Sequence, residues 1–279
     1  MKSGWKVFWV IVAILTALGF ICGGIALGLG VTLADLDDDF EIKENTRSEV
    51  SERVEIVEGS EAVYEFENIT DLAVSVGACE VFIGTSNTDD VQIDASRVKY
   101  DALGLELSVK NEDGKLIIQT IKDGNLWDVI SAKNNNGGTL KIYLPEDVNL
   151  TTAAFEFGGC EVEVSGLTTD HMDLVMGAAE CEMVKMSLNS LHAEVGAGDF
   201  DYSGTISGDV DIDCGAGEVD LSLSGTEKEF NYDLSVGLGE VEIGKKEYGG
   251  IAVNKTINNH AEKNMVIDCG AGSVSVDFR

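Results

Sequence analysis

The chain has 279 residues, enough to bury the core of one large β domain or of two smaller ones. Its 32 glycines and single proline exclude a proline-rich or collagen-like fibre, because the glycines recur at fixed positions of a longer phrase. The formal net charge of −31 at pH 7 excludes a nucleic-acid-binding protein, since so acidic a surface is repelled by phosphate, and it favours cations or basic partners.

The N-terminal segment is predicted to anchor the chain in a membrane. No charged residue occurs from Val7 to Leu33. A helix of that length, rising ~1.5 Å per residue, reaches about 40 Å and crosses the ~30 Å hydrocarbon core of a bilayer with some tilt. Lys2 and Lys6 precede the apolar run and acids follow it. We therefore expect residues 1–6 in the cytoplasm, a transmembrane helix over 7–33, and the rest of the chain outside the cell membrane.

Two alternatives stay open for this segment. A cleaved signal peptide is one, although its apolar region ordinarily runs only ~7–15 residues. Small residues four apart, as at Gly19 and Gly23, could also bring two anchors together, so a homo-oligomer is possible. Residues 34–49 are rich in Asp and Glu and predict a solvated acidic linker, which leaves residues 50–279 as an extracytoplasmic β domain.

The β domain begins with segments of alternating apolar and polar residues, which predict half-buried strands. Residues 72–76 form one such segment. Residues 105–109 and 116–121 form two more, and they flank Asn111-Glu112-Asp113-Gly114, a turn sequence that predicts a β-hairpin.

One phrase then dominates the chain: an apolar residue, Gly, two small residues, an acid, and further alternation. It occurs seven times, with its turn glycines at Gly77, Gly158, Gly177, Gly196, Gly215, Gly237 and Gly270. From Gly158 to Gly215 the step is constant at 19 residues, and the strict repeats occupy residues 151–244. Such a period predicts an all-β, β-solenoid-like stack in which each unit supplies two short strands and two turns. An antiparallel β-sandwich or roll is the alternative, because 81 positions separate Gly77 from Gly158.

The acid of each phrase predicts a ladder of carboxylates along the stack. Its members in the repeats are Glu161, Glu180, Asp199, Glu218 and Glu240; Glu80 fills the same position of the first phrase and Ser273 that of the last. Neighbouring coils lie about 4.8 Å apart, and like charges at that distance repel by about 1 kcal/mol in water. Ca²⁺ could offset the repulsion, although the nonapeptide calcium repeat is not matched. Otherwise the carboxylates accept hydrogen bonds from the amides of their own corners, or stay solvated.

Five cysteines lie in the β domain, all of them inside the repeat phrase: Cys79, Cys160, Cys181, Cys214 and Cys269. Other copies of the phrase fill these positions with small or apolar residues, so the cysteines are expected to be buried thiols. Cys79 and Cys160 share one register of the phrase, and Cys214 and Cys269 share another. No structural disulfide is expected.

No catalytic motif occurs in the chain. The zinc-peptidase, serine-hydrolase and P-loop patterns are missing, and the three histidines have no metal-ligand spacing. We therefore predict a protein that is not an enzyme and has no cofactor, apart from the possible Ca²⁺.

The C-terminal part departs from the strict repeat. Between residues 244 and 263, lysines outnumber acids, which predicts a local basic loop that is either solvated or a partner contact. The last strand is expected to be an open edge that a partner could extend.

The strand at residues 140–145, Leu-Lys-Ile-Tyr-Leu-Pro, together with repeats such as residues 212–221, resembles the bacterial putative-adhesin family of β-strand-repeat proteins, a domain of unknown function. The resemblance covers roughly residues 50–279. It implies a solenoid-like or rolled sheet outside the membrane of a Gram-positive bacterium, often as a companion of envelope-stress systems, and it implies no catalytic residues.

Three functions follow as hypotheses. The first is a non-catalytic, single-pass envelope protein that binds another protein, a peptide or a wall polymer, in adhesion or in sensing envelope damage. The second is a structural module that self-associates through its anchor and its open edge. The third is a polysaccharide-acting enzyme.

Overall fold

The structure, a computed structural model, describes residues 52–56, 63–99, 105–122 and 137–279, with the backbone alone at residues 52–56, 105, 121 and 122. The predicted membrane helix over 7–33 and the acidic linker over 34–49 lie outside these residues. In the part of the chain that the structure describes, no helix is long and apolar enough to cross a membrane.

The described residues form 21 strands and one short 3-10 helix at Glu227–Glu229. The strands are β1 (Glu52–Ile56), β2 (Val63–Phe66), β3 (Asp71–Val76), β4 (Glu80–Ser86), β5 (Val91–Val98), β6 (Leu105–Glu112), β7 (Lys115–Lys122), β8 (Gly138–Pro145), β9 (Leu150–Phe157), β10 (Glu161–Ser165), β11 (Thr168–Met176), β12 (Glu180–Val195), β13 (Asp199–Ile206), β14 (Val210–Cys214), β15 (Glu218–Leu223), β16 (Phe230–Val236), β17 (Glu240–Ile243), β18 (Lys246–Gly249), β19 (Val253–Ile257), β20 (Lys263–Cys269) and β21 (Ser273–Phe278). The predicted hairpin is confirmed as β6 and β7, with Gly114 at a positive φ of 89° in its turn.

These strands form two layers around one apolar core. The first layer contains the strands that precede each corner glycine, in the order β1-β6-β7-β3-β9-β11-β12-β14-β20-β16-β19. The second contains the strands that follow it, in the order β2-β5-β8-β4-β10-β12-β13-β15-β21-β17-β18. The long strand β12 belongs to both layers, because it changes layer at an irregularity between Val184 and Met186, where Lys185 has a φ of 57°.

The core follows from the period-two alternation of each strand. In β14 and β13, for example, every second residue is buried and the others are exposed or half-buried. Leucine, isoleucine and valine dominate the interior, and burying one such side chain stabilises the fold by roughly 1.5–3 kcal/mol. The two buried tyrosines have partners for their hydroxyl groups: Tyr202 donates to the carbonyl of Thr205 at 3.2 Å, and Tyr232 donates to that of Glu227 at 2.7 Å.

The predicted parallel stack is confirmed, and the sandwich alternative does not describe the repeats. From β9 and β10 onward, each repeat strand pairs in parallel with the equivalent strand of the next coil. Antiparallel pairs occur at the two ends of the layers, for example β5 with β8 and β16 with β19. The 81 positions that separate the first two phrases do not break the stack, because β3 and β4 pair directly with β9 and β10 while β5 to β8 extend the layers on the far side.

The order of the last two coils differs from the order of the sequence. The coil of Gly270 lies directly on the coil of Gly215, and the coil of Gly237 lies outside it. The expectation that the last strand is an open edge is therefore wrong: β21 is paired on both sides, with β15 and with β17.

The predicted basic loop over residues 244–263 is also corrected, because it contains two capping strands. Within it, β18 pairs with β17 and β19 pairs with β16, both antiparallel. Two of its lysines have intramolecular partners: Lys246 contacts Glu227, and Lys263 contacts Glu229 at 3.0 Å. Lysines on outer strands disfavour pairing with another sheet.

Candidate functional site

The predicted ladder acids lie on the outer face of the second layer. Glu161, Glu180, Asp199 and Glu218 are direct partners in successive parallel strands, and all four are exposed. Glu240 is not next to Glu218, because Ser273 occupies the position between them. The seven corner glycines stack in the order 77, 158, 177, 196, 215, 270 and 237.

A second row of acids, which the sequence analysis missed, runs parallel to the first at a distance of two residues along each strand. Its members are Glu163, Glu182, Asp201, Asp220 and Glu242, with Ser275 between the last two. The same 19-residue step links 163, 182, 201 and 220, so the sequence does contain the signal. We call the ten carboxylates of the two rows the acidic face: Glu161, Glu163, Glu180, Glu182, Asp199, Asp201, Glu218, Asp220, Glu240 and Glu242.

The corner amides do not neutralise the acidic face. In each strict repeat they donate to carbonyls of the neighbouring coil; for example, the amides of Gly196, Ala197 and Asp199 donate to the carbonyls of Met176, Gly177 and Ala179 at 2.8–3.0 Å. The alternative in which each carboxylate accepts hydrogen bonds from its own corner is therefore wrong. No lysine or arginine occupies either row from β10 to β17, so the charges repel one another.

The pKa of Asp220 shows the consequence of this crowding. Burial raises the pKa of its carboxyl group above the usual range, and the charges of Glu218, Asp201 and Asp277 raise it further. A hydrogen bond with Ser275 opposes the shift. On the outer face of the first layer, burial and the neighbouring acids Asp211, Asp268 and Glu194 likewise raise the pKa of Asp213.

Within the described residues, no group of three or more His, Cys, Asp or Glu side chains is placed to hold a metal ion. Two histidines have polar side-chain neighbours: His171 Nδ1 lies 2.6 Å from Ser190 Oγ, and His192 lies between Glu194 and Asp211 at 3.3 and 3.5 Å. The five cysteines are buried thiols.

An aromatic pair adjoins one end of the acidic face. Phe82 on β4 and Tyr143 on β8 project from the outer surface of the second layer, both half-buried, with ring centroids 5.7 Å apart. The Phe82 ring lies across Gly84, where a Cβ atom would be only 2.8 Å from its Cζ. A depression of about 460 Å³ borders the pair and is lined also by Glu80, Val81, Thr139, Lys141, Glu161 and Glu163. We call Phe82 and Tyr143 the aromatic platform.

This geometry defines a class of protein: a β-repeat protein of stacked parallel coils with an acidic outer face. Residues 146–276 match the Toastrack DUF4097 family. Over these residues the chain is similar to a domain of unknown function, and the predicted resemblance to the putative-adhesin family of β-strand-repeat proteins is confirmed. No curated protein matches the chain.

Three solved structures are similar to it. A putative cell adhesion protein from Clostridium sporogenes is 14% identical with a TM-score of 0.41, over 82% of this chain and 99% of that one. A putative adhesin from Bacteroides fragilis is 12% identical with a TM-score of 0.41, over 82% and 97%. A putative lipid binding protein from Parabacteroides distasonis is 15% identical with a TM-score of 0.28, over 81% and 96%.

Proposed function

We propose that this protein is a non-catalytic, membrane-anchored module of the cell envelope whose acidic face binds a positively charged partner: a basic protein, a basic peptide or an amine-bearing wall polymer. The observation that carries the proposal is the regular pair of carboxylate rows, which hold ten negative charges on one surface with no basic residue among them. Such a surface steers cationic partners towards itself and favours them over neutral ones.

Two further features support binding as the role. The rows lie on hydrogen-bonded strands, so the charges are held in place before the partner arrives, and less conformational entropy is lost on association. The aromatic platform beside them offers ring faces, and an ammonium or guanidinium group is attracted to such a face. Lys141 borders the same depression. A hydrogen bond from the Ser96 side chain lowers the pKa of Asp94, and the charge of Lys141 lowers it further.

The anchoring part of the proposal rests on the uncharged run from Val7 to Leu33 and on the lysines before it. With this orientation the acidic face is outside the cell membrane. Self-association through the last strand is not available, because β21 is paired on both sides. The argument for self-association then rests on the glycines of the predicted anchor.

The test is cross-linking of the full-length protein in intact cells with a carbodiimide, which joins carboxylates to amines, followed by mass spectrometry. The face variant carries Glu163→Gln, Glu182→Gln, Asp201→Asn and Glu242→Gln. The control variant removes the same number of charges at exposed acids elsewhere: Glu67→Gln, Asp89→Asn, Glu146→Gln and Asp147→Asn.

We expect basic partners with the native protein and with the control, at least about tenfold fewer with the face variant, and a loss of binding at high salt because exposed charges are screened. Equal recovery of the same partners with both variants would contradict the proposal. If the only cross-links recovered join two copies of this protein, the result would favour the structural, self-associating module instead.

A further inference from the structure

Cys79 and Cys160 occupy the same position in two stacked corners, although 81 positions separate them in sequence. On one side of the corner Val76 is the partner of Phe157, and on the other side Glu80 is the partner of Glu161. In each corner three residues lie between these paired positions, and the cysteine is the third of them. The two cysteines are therefore neighbours in adjacent coils, one coil spacing apart. That spacing is about 4.8 Å, and disulfides join Cα atoms about 4.4–6.8 Å apart.

The sulfur of Cys160 lies against the coil of Cys79. Its Sγ donates to the carbonyl of Val76, in that coil, at 3.4 Å. A hydrogen bond with the Cys79 side chain lowers the pKa of the Cys160 thiol below its usual range in spite of burial, and backbone groups of Cys79, Gly158 and Ala78 lower it further. The thiolate is the nucleophile in thiol–disulfide exchange.

We propose that Cys79 and Cys160 form a reversible disulfide that joins the N-terminal coil of the β domain to the first coil of the strict repeat. The oxidant is a disulfide compound, such as oxidised glutathione. The Cys160 thiolate attacks one sulfur of the oxidant, forms a mixed disulfide and releases one glutathione thiolate. The Cys79 sulfur then attacks Sγ of Cys160 and releases the second. The two protons from the protein thiols end on the two released glutathione molecules, so the protein loses two electrons and the oxidant gains them.

The chain contains a matched comparison pair. Cys214 and Cys269 are direct partners in β14 and β20, and a disulfide there would close a loop of similar length. Their sulfurs donate to the carbonyls of Gly217 and Gly272 in their own corners, at 3.3 and 3.2 Å. Burial raises the pKa of Cys214 to about 11 and also raises that of Cys269. These thiols are therefore less often ionised and react more slowly.

The experiment treats the reduced full-length protein with oxidised glutathione at pH 7, stops the reaction with acid, alkylates the remaining thiols and maps the peptides by mass spectrometry. We expect a linked peptide containing Cys79 and Cys160 to form at least about tenfold faster than one containing Cys214 and Cys269. We expect the thermal midpoint to rise by about 5–10 °C, because the cross-link restricts the unfolded chain over a long loop. A reductant should reverse both changes.

Cys79→Ser and Cys160→Ser should each abolish the linked peptide and the rise, whereas Cys181→Ser should keep both. The peptide map of the native protein decides the question even if a variant does not fold. If Cys79 and Cys160 remain alkylated throughout, or if Cys214 and Cys269 link first, the proposal is wrong.

Discussion

At the residue level, the first glycine of each corner from Gly177 onward along the stack is required by the coil beneath it. These glycines do not have positive φ angles. A Cβ atom on Gly196 would instead lie 2.9 Å from the carbonyl oxygen of Gly177, and one on Gly215 would lie 2.8 Å from that of Gly196. The repeat therefore keeps glycine because hydrogen-bonded corners approach more closely than a side chain permits.

We predict that Gly196→Ala lowers the free energy of unfolding by about 1–3 kcal/mol, because backbone must move to admit the methyl group. Gly77 is the matched control, since it holds the same position in the outermost glycine corner and a Cβ there would meet nothing within 4 Å. Gly77→Ala should be neutral or stabilise by a few tenths of a kcal/mol. Chemical denaturation of both variants measures this, and equal destabilisation would show that stacking is not the reason for glycine.

At the level of the strands, the sequence predicts those structural features that recur with the 19-residue repeat. The 19-residue step predicts parallel coils, the position of the corners and the register of Glu161, Glu180, Asp199 and Glu218. The second row of acids recurs with the same 19-residue step. It was missed because only the acid directly after each corner was considered. The sequence thus contains most of the acidic face.

The sequence does not contain the order of coils that are far apart along the chain. The insertion of the Gly270 coil between those of Gly215 and Gly237 depends on β20 pairing with both β14 and β16. The contact of the Gly77 coil with the Gly158 coil is likewise a long-range pairing. Neither pairing changes the local pattern of the strands. The aromatic platform was missed for the same reason, because Phe82 and Tyr143 meet only after β4 pairs with β8.

The crowded carboxylates make stability depend on pH. A carboxyl group with a pKa raised by folding stabilises the folded state fully below its unfolded pKa, about 3.9 for Asp, and this contribution is lost as the pH rises through the higher folded pKa. Asp220 and Asp213 both have raised pKa values. Their contribution is therefore lost at a pH above the raised pKa values and returns as the pH falls through them.

We predict that Asp220→Asn raises the thermal midpoint of the full-length protein at pH 7 by about 1–4 °C, because it removes a repelled charge and keeps a hydrogen-bonding group for Ser275. The gain should shrink as the pH is lowered through the raised pKa of Asp220, because the native carboxyl group then takes up a proton and loses its charge. Glu67→Gln, at an exposed turn after β2, is the control and should change the midpoint little. Melting curves from pH 4 to pH 7 measure the effect, and a gain independent of pH would argue against charge repulsion.

At the level of the whole β domain, parallel stacking leaves an edge at each end of both layers, and an unpaired edge can add strands from another molecule. The C-terminal end is closed by the antiparallel strands β18 and β19, which carry Lys246 and Lys255. Lys255 is exposed in the middle of the outermost strand of the first layer. A charge there must be desolvated before a second sheet can pair, and this opposes growth of the stack by end-to-end association.

We predict that Lys255→Val makes the protein associate in a concentration-dependent manner, because valine favours strand pairing and removes the charge that opposes it. Lys228→Val is the control, since it makes the same chemical change in the 3-10 helix, away from any strand edge. Sedimentation velocity of the detergent-solubilised full-length variants over about a hundredfold range of concentration should show larger species for Lys255→Val alone. If both variants match the native protein, closure of this end depends on the shape of the capping strands and not on the charge of Lys255.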